Sequence, residues 1–325
     1  WVYQQYDFMV RTSTSVRPGS DAAVVRVEGT DKALALSIDG NSRYVYLDPK
    51  TGGKIAVAEA ARNVICSGGR PLAITDGLNF GNPEKQEIFW QLEQAVTGMA
   101  EACNFFKLPV TGGNVSLYNE TEGEAVYPTP VVGAVGLIEK NEHTTTQFFQ
   151  NSGDVLLLLG ETKNELGGSA YQQMLMGQIS GMPPELNLEK ELTLQQSVLE
   201  NIRAGNVLSA HDLSHGGLAL ALLTSCTDDL GISVDWKIDL RPDIALFSES
   251  QSRILLSVAP ENVEQLEASM REKGVPCLRI GKVVYASKSA AINFEIALNG
   301  TPLIQTKLLT LRDLWQNAIG REMMR

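Results

Sequence analysis

Long apolar runs are missing from this sequence: no stretch approaches the ~18 consecutive apolar residues of a membrane span, so no membrane association is expected. No secretory pattern opens the chain, and a cytoplasmic location is expected. It begins at Trp1 without a Met, which suggests a piece of something longer. Basic charge is scarce too, with 27 Lys and Arg against 38 Asp and Glu and a net charge of -11. That leaves no electrostatic footprint for nucleic acid, so an anionic ligand must be held by glycine loops, cations and a few Arg or Lys. Cysteine is sparse: Cys66, Cys103, Cys226 and Cys277 stand apart in apolar contexts, without CxxC or Cys/His metal spacing, and are expected as reduced thiols. What is present, 325 residues of which 43% are hydrophobic, suffices for two domains at the usual ~100 to 200 residues each.

The stretch with the most chemistry runs from Pro109 to Asn119. An apolar run, Leu108 to Val110, enters Gly112-Gly113, after which Asn114, Ser116 and Tyr118 alternate with Val115 and Leu117. The pattern reads as a strand breaking into a tight turn and leaving as another strand. Glycines there let backbone N–H groups approach a phosphate. Asn114 then offers a carbonyl oxygen to a hard cation such as Mg²⁺, with Ser116 on the same face. A plain hairpin turn with an Asn for local geometry accounts for the same residues equally well.

The other segments fall in order around this stretch. Residues 1–20 form a polar arm carrying Trp1, Tyr3, Tyr6 and Phe8, without a regular period. Residues 22–27 and 33–38 read as strands, Asp48-Pro49-Lys50-Thr51-Gly52-Gly53 as the entry to a helix that stops at Ser67-Gly68-Gly69, and 71–75 as a short buried strand ending at Asp76. Pro83 starts a long amphipathic helix, and 131–138 is an apolar strand. The first domain is thus 21–140; the Thr-rich connection 139–150 is the boundary and 151–325 the second domain. There, strands are expected at 155–159, 207–210, 254–258 and 277–284, helices at 192–204, 218–226 and 260–273, a hairpin at 292–306 and a closing helix at 310–324. Gly167-Gly168 before a helix is a weak phosphate signal. His211, Asp212 and His215 lack a third ligand at zinc spacing, which favours turn and cap geometry. Two α+β domains follow from this order.

Residues 48–53, Ser67-Gly68-Gly69-Arg70-Pro71-Leu72-Ala73, Thr75-Asp76-Gly77-Leu78-Asn79-Phe80-Gly81-Asn82-Pro83-Glu84, 111–121 and Tyr127-Pro128-Thr129-Pro130-Val131-Val132-Gly133 resemble the phosphoribosylformylglycinamidine synthase family. The likeness is narrower still to the carboxy-terminal half of its small-type synthetase subunit; His211 to Leu218 and Phe247 to Arg253 continue it. It spans essentially the whole chain. It implies the two-domain aminoimidazole ribonucleotide synthetase-like fold, a half-barrel αβ domain followed by a second αβ domain. It also implies an ATP-dependent C–N ligase of purine biosynthesis, which phosphorylates the amide oxygen of formylglycinamide ribonucleotide and lets glutamine-derived ammonia displace phosphate. Carried over, Asp76 and Gly113 contact ATP, Asn114 holds Mg²⁺ and Ser116 touches the ribonucleotide. Asp212, Glu249 and Gln251, within the matched stretches, and Asp39, in the loop equivalent to the family's catalytic-His loop, are further candidates. Implied partners are the missing amino-terminal half, a glutaminase subunit and a small accessory subunit, or a second copy of the chain. Two departures stand out. The family's catalytic His is absent from Asp39-Gly40-Asn41-Ser42-Arg43, so this half alone is expected to be inactive, and His215 replaces an Asp. A nucleotide-binding scaffold and a small-substrate kinase of the same superfamily are the alternatives.

Overall fold

The computed structural model describes residues 5–286 and 293–324; Trp1 and Tyr3 of the arm, and Ile292 of the closing hairpin, lie outside them. The first unit contains β1 (Thr14–Val16), β2 (Ala23–Arg26), β3 (Ala33–Asp39), α1 (Ser42–Leu47), α2 (Pro49–Cys66), β4 (Arg70–Asn79), α3 (Gln86–Phe106) and β5 (Val110–Ser116). It ends with the small ribbon β6 (Glu120–Thr121) and β7 (Glu124–Ala125), and with β8 (Thr129–Ile138). Its six-stranded sheet has the order β1-β2-β3-β8-β4-β5, with β4 and β5 parallel. Along β8, half-buried and buried residues alternate over the whole strand. One face therefore packs on α2 and α3, and the other is left open. On that open face Leu36 is 44% and Ile38 78% exposed.

The second unit contains β9 (Val155–Leu159), α4 (Ala170–Met176), α5 (Leu188–Arg203), β10 (Ser209–Asp212), α6 (Gly217–Ser225), β11 (Leu230–Trp236) and α7 (Pro242–Phe247). It continues with β12 (Ile254–Val258), α8 (Val263–Glu272), β13 (Cys277–Tyr285), β14 (Phe294–Leu298), β15 (Thr301–Thr306), α9 (Leu308–Gln316) and α10 (Ala318–Met323). The seven-stranded sheet, β10-β12-β9-β13-β11-β14-β15, is antiparallel except for β11 and β14. Leu156 and Leu158 face one core with α6, while Leu157 and Leu159 face another with α5 and α8. Covered on both faces, β9 reads as a continuous apolar run and β12 as one broken only by the buried Ser257, rather than as alternating strands.

Helix α2 lies between the two units. Its Ala56, Val57, Ala60, Ala61 and Val64 belong to the core under the first sheet, and its Ile65 and Cys66 to the core of α5 and β12. Nearly every residue from Gly52 onward is buried. Glycine allows the close approach of α3: a Cβ on Gly98 would sit 2.0 Å from the Lys50 carbonyl oxygen, and one on Gly53 2.4 Å from that of Ala95.

Several expectations need correction. No turn forms at Gly112-Gly113. Neither residue has a positive φ, and β5 continues through them, with a register shift between Val110 and Gly113, because its backbone is held by β4. β4 extends to Asn79 and is only partly buried. The segment at 42–47 is a helix, started by Asn41, whose side chain accepts from Arg43 N. The long helix starts at Gln86, since Asn82 to Lys85 forms a turn first. Part of the arm, β1, joins the sheet beside β2. β11 and α7 emerge where no element was expected, and the polar segment 248–253 is interior.

Candidate functional site

The parallel register of β4 and β5 sets Asp76 beside Gly113, Gly77 beside Asn114 and Asn79 beside Ser116. Side chains alternate across a strand. Asp76 shares the side of Ile74 and Leu78, toward α3, and partial burial raises its carboxyl above the usual range. Gly113 lies against it: a Cβ there would fall 2.3 Å from the Asp76 carbonyl oxygen and 2.4 Å from its Oδ1. Only glycine fits without displacing that carboxylate. Asn114 projects to the opposite face, where its Oδ1 lies 3.4 Å from the place a Gly77 Cβ would take. Among the described residues, the side chains of Asp76 and Asn114 have no hydrogen-bond partner. Ser116 Oγ is bonded to the Asn119 side chain at 3.2 Å, and Asn119 Nδ2 donates to Phe80 O at 3.1 Å and Ser116 O at 2.9 Å. Thr75 Oγ1 and Thr111 Oγ1 pin the two strands through Gly112 O and Ile74 O. Among the described residues, the outer edge of β5 is unpaired. Asp76 and Asn114 thus occupy opposite faces of one edge, and a ligand reaching both must pass around it.

The other candidates lie elsewhere, in a polar core between the two units. Arg62 of α2, fully buried, donates to Asp212, to Glu191 Oε2 at 2.8 Å and to Gln251 Oε1 at 3.0 Å, and lies 3.9 Å from Glu59. Gln195 and Ser252 complete the shell of Glu191. Asp39 accepts from Gly40 N at 2.6 Å and Asn63 Nδ2 at 2.7 Å; burial, then the Asp212 carboxylate, push it up to about 6. Glu249 accepts from the Tyr44 hydroxyl, Ala170 N and Gly216 N, so it ties α1 to the starts of α4 and α6. Beside this core opens a cleft of about 630 Å³, lined among others by Asn63, Asp21, Asp212, His211 and His215. His211 Nδ1 is 2.6 Å from Asp21 Oδ1. Burial pulls that imidazole down, but the Asp21 carboxylate outweighs it and leaves it raised. His215 Nε2 bonds Asn41 Nδ2 at 3.0 Å, and among the described residues no cluster of three His, Cys, Asp or Glu is placed to hold a metal.

Two family models match this chain: the AIR synthase related protein N-terminal domain over residues 19–138 and the C-terminal domain over residues 151–292. The chain belongs to the AIR synthase related family. Its fold is similar to that of Thermotoga maritima PurL complexed with FGAR, with TM-score 0.75 and 18% identity over 93% of this chain and 49% of PurL. It is also similar to tt0281 of Thermus thermophilus, with TM-score 0.61 and 22% identity over 91% of this chain and 96% of that one. A chain of the HypE–HypF complex matches with TM-score 0.65 and 15% identity over 94% and 99% of the two chains. At these identities the likeness is one of fold. This AIR synthase related chain spans about half the length of the PurL chains it matches.

Of the residues singled out in the sequence, the fold brings Asp76, Gly113, Asn114 and Ser116 to one sheet edge. Asp39, Asp212 and Gln251 gather around Arg62, with Glu249 nearby on the Tyr44 side. Sequence reading missed Arg62, Glu59 and Glu191. The available signal was a Glu and an Arg, three residues apart, in a helix that is otherwise almost entirely apolar or small. No helix of the described residues is long and apolar enough to cross a membrane.

Proposed function

We propose that this chain is the carboxy-terminal half of the synthetase subunit of phosphoribosylformylglycinamidine synthase. In that reaction ATP phosphorylates the amide oxygen of formylglycinamide ribonucleotide and ammonia displaces phosphate. The observation that carries the reading is the register of β4 and β5, which puts Asp76 against Gly113 and leaves Asn114 with a free amide at an unpaired edge. These residues fit the group expected there. The bare Gly113 backbone admits a phosphate oxygen, and the Asn114 carbonyl is a hard-cation ligand of the kind Mg²⁺ takes beside nucleotide phosphates. Bound Mg-ATP supplies the phosphoryl group, whose charge is stabilised mainly by positioned donors and cations. In this chain Asp76 and Gly113 shape the phosphate side of the edge, Asn114 holds the cation and Ser116, fixed by Asn119, faces the ribonucleotide. The length relation to PurL, and the solved complexes of PurL with FGAR, ADP and ATP, support this reading.

Asn114→Leu tests it. In enzyme reassembled with its other half, the substitution should raise the requirement for Mg-ATP at least about tenfold, a loss of about 1.4 kcal/mol in binding. Melting should barely change, because the side chain is exposed and unbonded. Unaltered ATP kinetics would reject the ligand role.

The open face of the first sheet gives a second expectation. Exposed Leu36 and Ile38 on a sheet with a free edge seek a partner surface. The isolated chain should self-associate at concentrations on the order of tens of micromolar, and Ile38→Glu should return it to monomer. A wild type that scatters as a monomer over that range refutes the face as an assembly surface.

A scaffold that holds a nucleotide without turning it over is favoured by one observation. In the segment where the family carries its catalytic His, Asp39 accepts from Asn63, Asn41 caps α1 and Arg43 Nε donates to Gly168 O at 2.8 Å. These three side chains already have structural work. An assembled enzyme that is folded but inactive would select this reading.

A further inference from the structure

The polar core between the two units contains more buried carboxyl groups than its cations neutralise. Arg62 is surrounded by buried Asp212, Glu191 and Glu59, with the half-buried Asp39 beside them, where the Asp212 carboxylate acts on it. Asp39 and Glu59 come from the first unit, while Glu191 and Asp212 come from the second. The neighbouring charges do not redress the balance. Asp21 and His211 pair with each other, His215 bonds Asn41, and Glu249 is held by Tyr44 and two backbone N–H groups. Arg253, fully buried, spends its donors on neutral oxygens of Ser250, Thr162 and Ser248. Asp212 is 2% exposed, yet its Oδ2 has no partner among the described residues. Three buried carboxyl groups and a half-buried fourth around one guanidinium do not all stay ionised; burial and the like charges nearby raise the proton affinity of Asp39 and Glu59.

We propose that this cluster is a proton-linked latch between the two units, closed by protons on Asp39 and Glu59 and loosened when their loss sets those carboxylates against Asp212 and Glu191. The direction of titration agrees. Burial first, then Asp39 and Asp212, hold Glu59 well above the carboxylate range, and Asp39 rises to about 6. Both folded-state values lie above those of the unfolded chain. Each group's contribution is therefore fully present below the unfolded value and is lost as pH rises through the folded one, near pH 6 for Asp39. Asp39, pushed up to about 6, changes charge toward neutrality, and Glu59 and Asp212 are displaced in the same direction. The latch is independent of the ligase reading and stands or falls separately from it.

Amide hydrogen exchange on the whole chain, at about pH 5 and about pH 8 and corrected for the intrinsic pH effect, tests the proposal. Amides of α2 and β10 should exchange about tenfold faster at the higher pH, the change that one unit of differential proton affinity produces, while those of β8 stay constant. Asp39→Asn should abolish most of the difference and Glu59→Gln the rest. A wild type without the difference overturns the latch, as does an Asp39→Asn variant that keeps it. If either variant fails to fold, infrared spectroscopy of the wild type decides: a protonated-carboxyl band at neutral pH that disappears on alkalinisation together with interface protection supports the latch, and absence of that band refutes it.

Discussion

Alone, the chain is expected to make no measurable amidine from formylglycinamide ribonucleotide, ammonium chloride and Mg-ATP, and addition of the complementary amino-terminal half should start synthesis. The reason is geometric. Among the described residues, Asp76 and Asn114 stand on opposite faces of an unpaired strand edge, and the Asp39 to Arg43 segment offers no His, so the proposed half lacks the imidazole that the complementary half is expected to bring. Holding reactants at near-attack distance contributes on the order of 7–11 kcal/mol in well-oriented systems. Its loss predicts a deficit of at least about 10³-fold for the isolated half. Phosphate release coupled to amidine formation, measured for each half and for the mixture, gives the answer. Turnover by this chain alone at a rate near that of the mixture would sink the half-enzyme reading.

Arg62→Met should cost about 3–5 kcal/mol, the usual result of removing one partner from a buried ion pair and stranding the other. For a unit of this size that corresponds to a fall in Tm of roughly 10 °C. The loss is large because one guanidinium serves α5, β10 and the turn at Gln251 at once. Adding Asp212→Leu should recover part of it, since the stranded carboxylate is then gone and the two sites are coupled by contact. A single substitution costing less than about 1 kcal/mol would mean that apolar packing of α2, rather than its charge, joins the units.

Legibility in the sequence followed the physics of each segment. β9 and β12 were plain because both faces are covered and all their residues but Ser257 are apolar, and β8 because 131–138 is an unbroken run of apolar residues and glycines. β5 was misread for a local reason: Gly-Gly is a turn signal by itself, and only pairing with β4, whose sequence lies before α3, keeps it extended. α1 went unseen because six residues are too few for a periodic signal and its start depends on one Asn side chain. The edge site was legible as residue types at spacings, which is how Asn114 and Ser116 were found together. What spacing does not reveal is that Asp76 faces the other way. The buried cluster was half legible. Asp212 and Gln251 stood in matched stretches and Asp39 in the loop compared with the family's His loop, but Arg62 is distinguished only by what two separate units place around it.

The position of α2 has a consequence for how the chain comes off the ribosome. Arg62 meets Gln251 across 189 residues of sequence and Glu191 across 129. At typical elongation rates of ~5–20 residues per second, the last of these partners follows roughly ten to forty seconds after Arg62 itself. During that interval the first unit already has its sheet, yet one side of its central helix carries a bare guanidinium, Ile65 and Cys66 with nothing over them. A first unit that folds as it emerges therefore exposes, until Gln251 follows, the side of α2 that α5 and β12 cover in the finished protein.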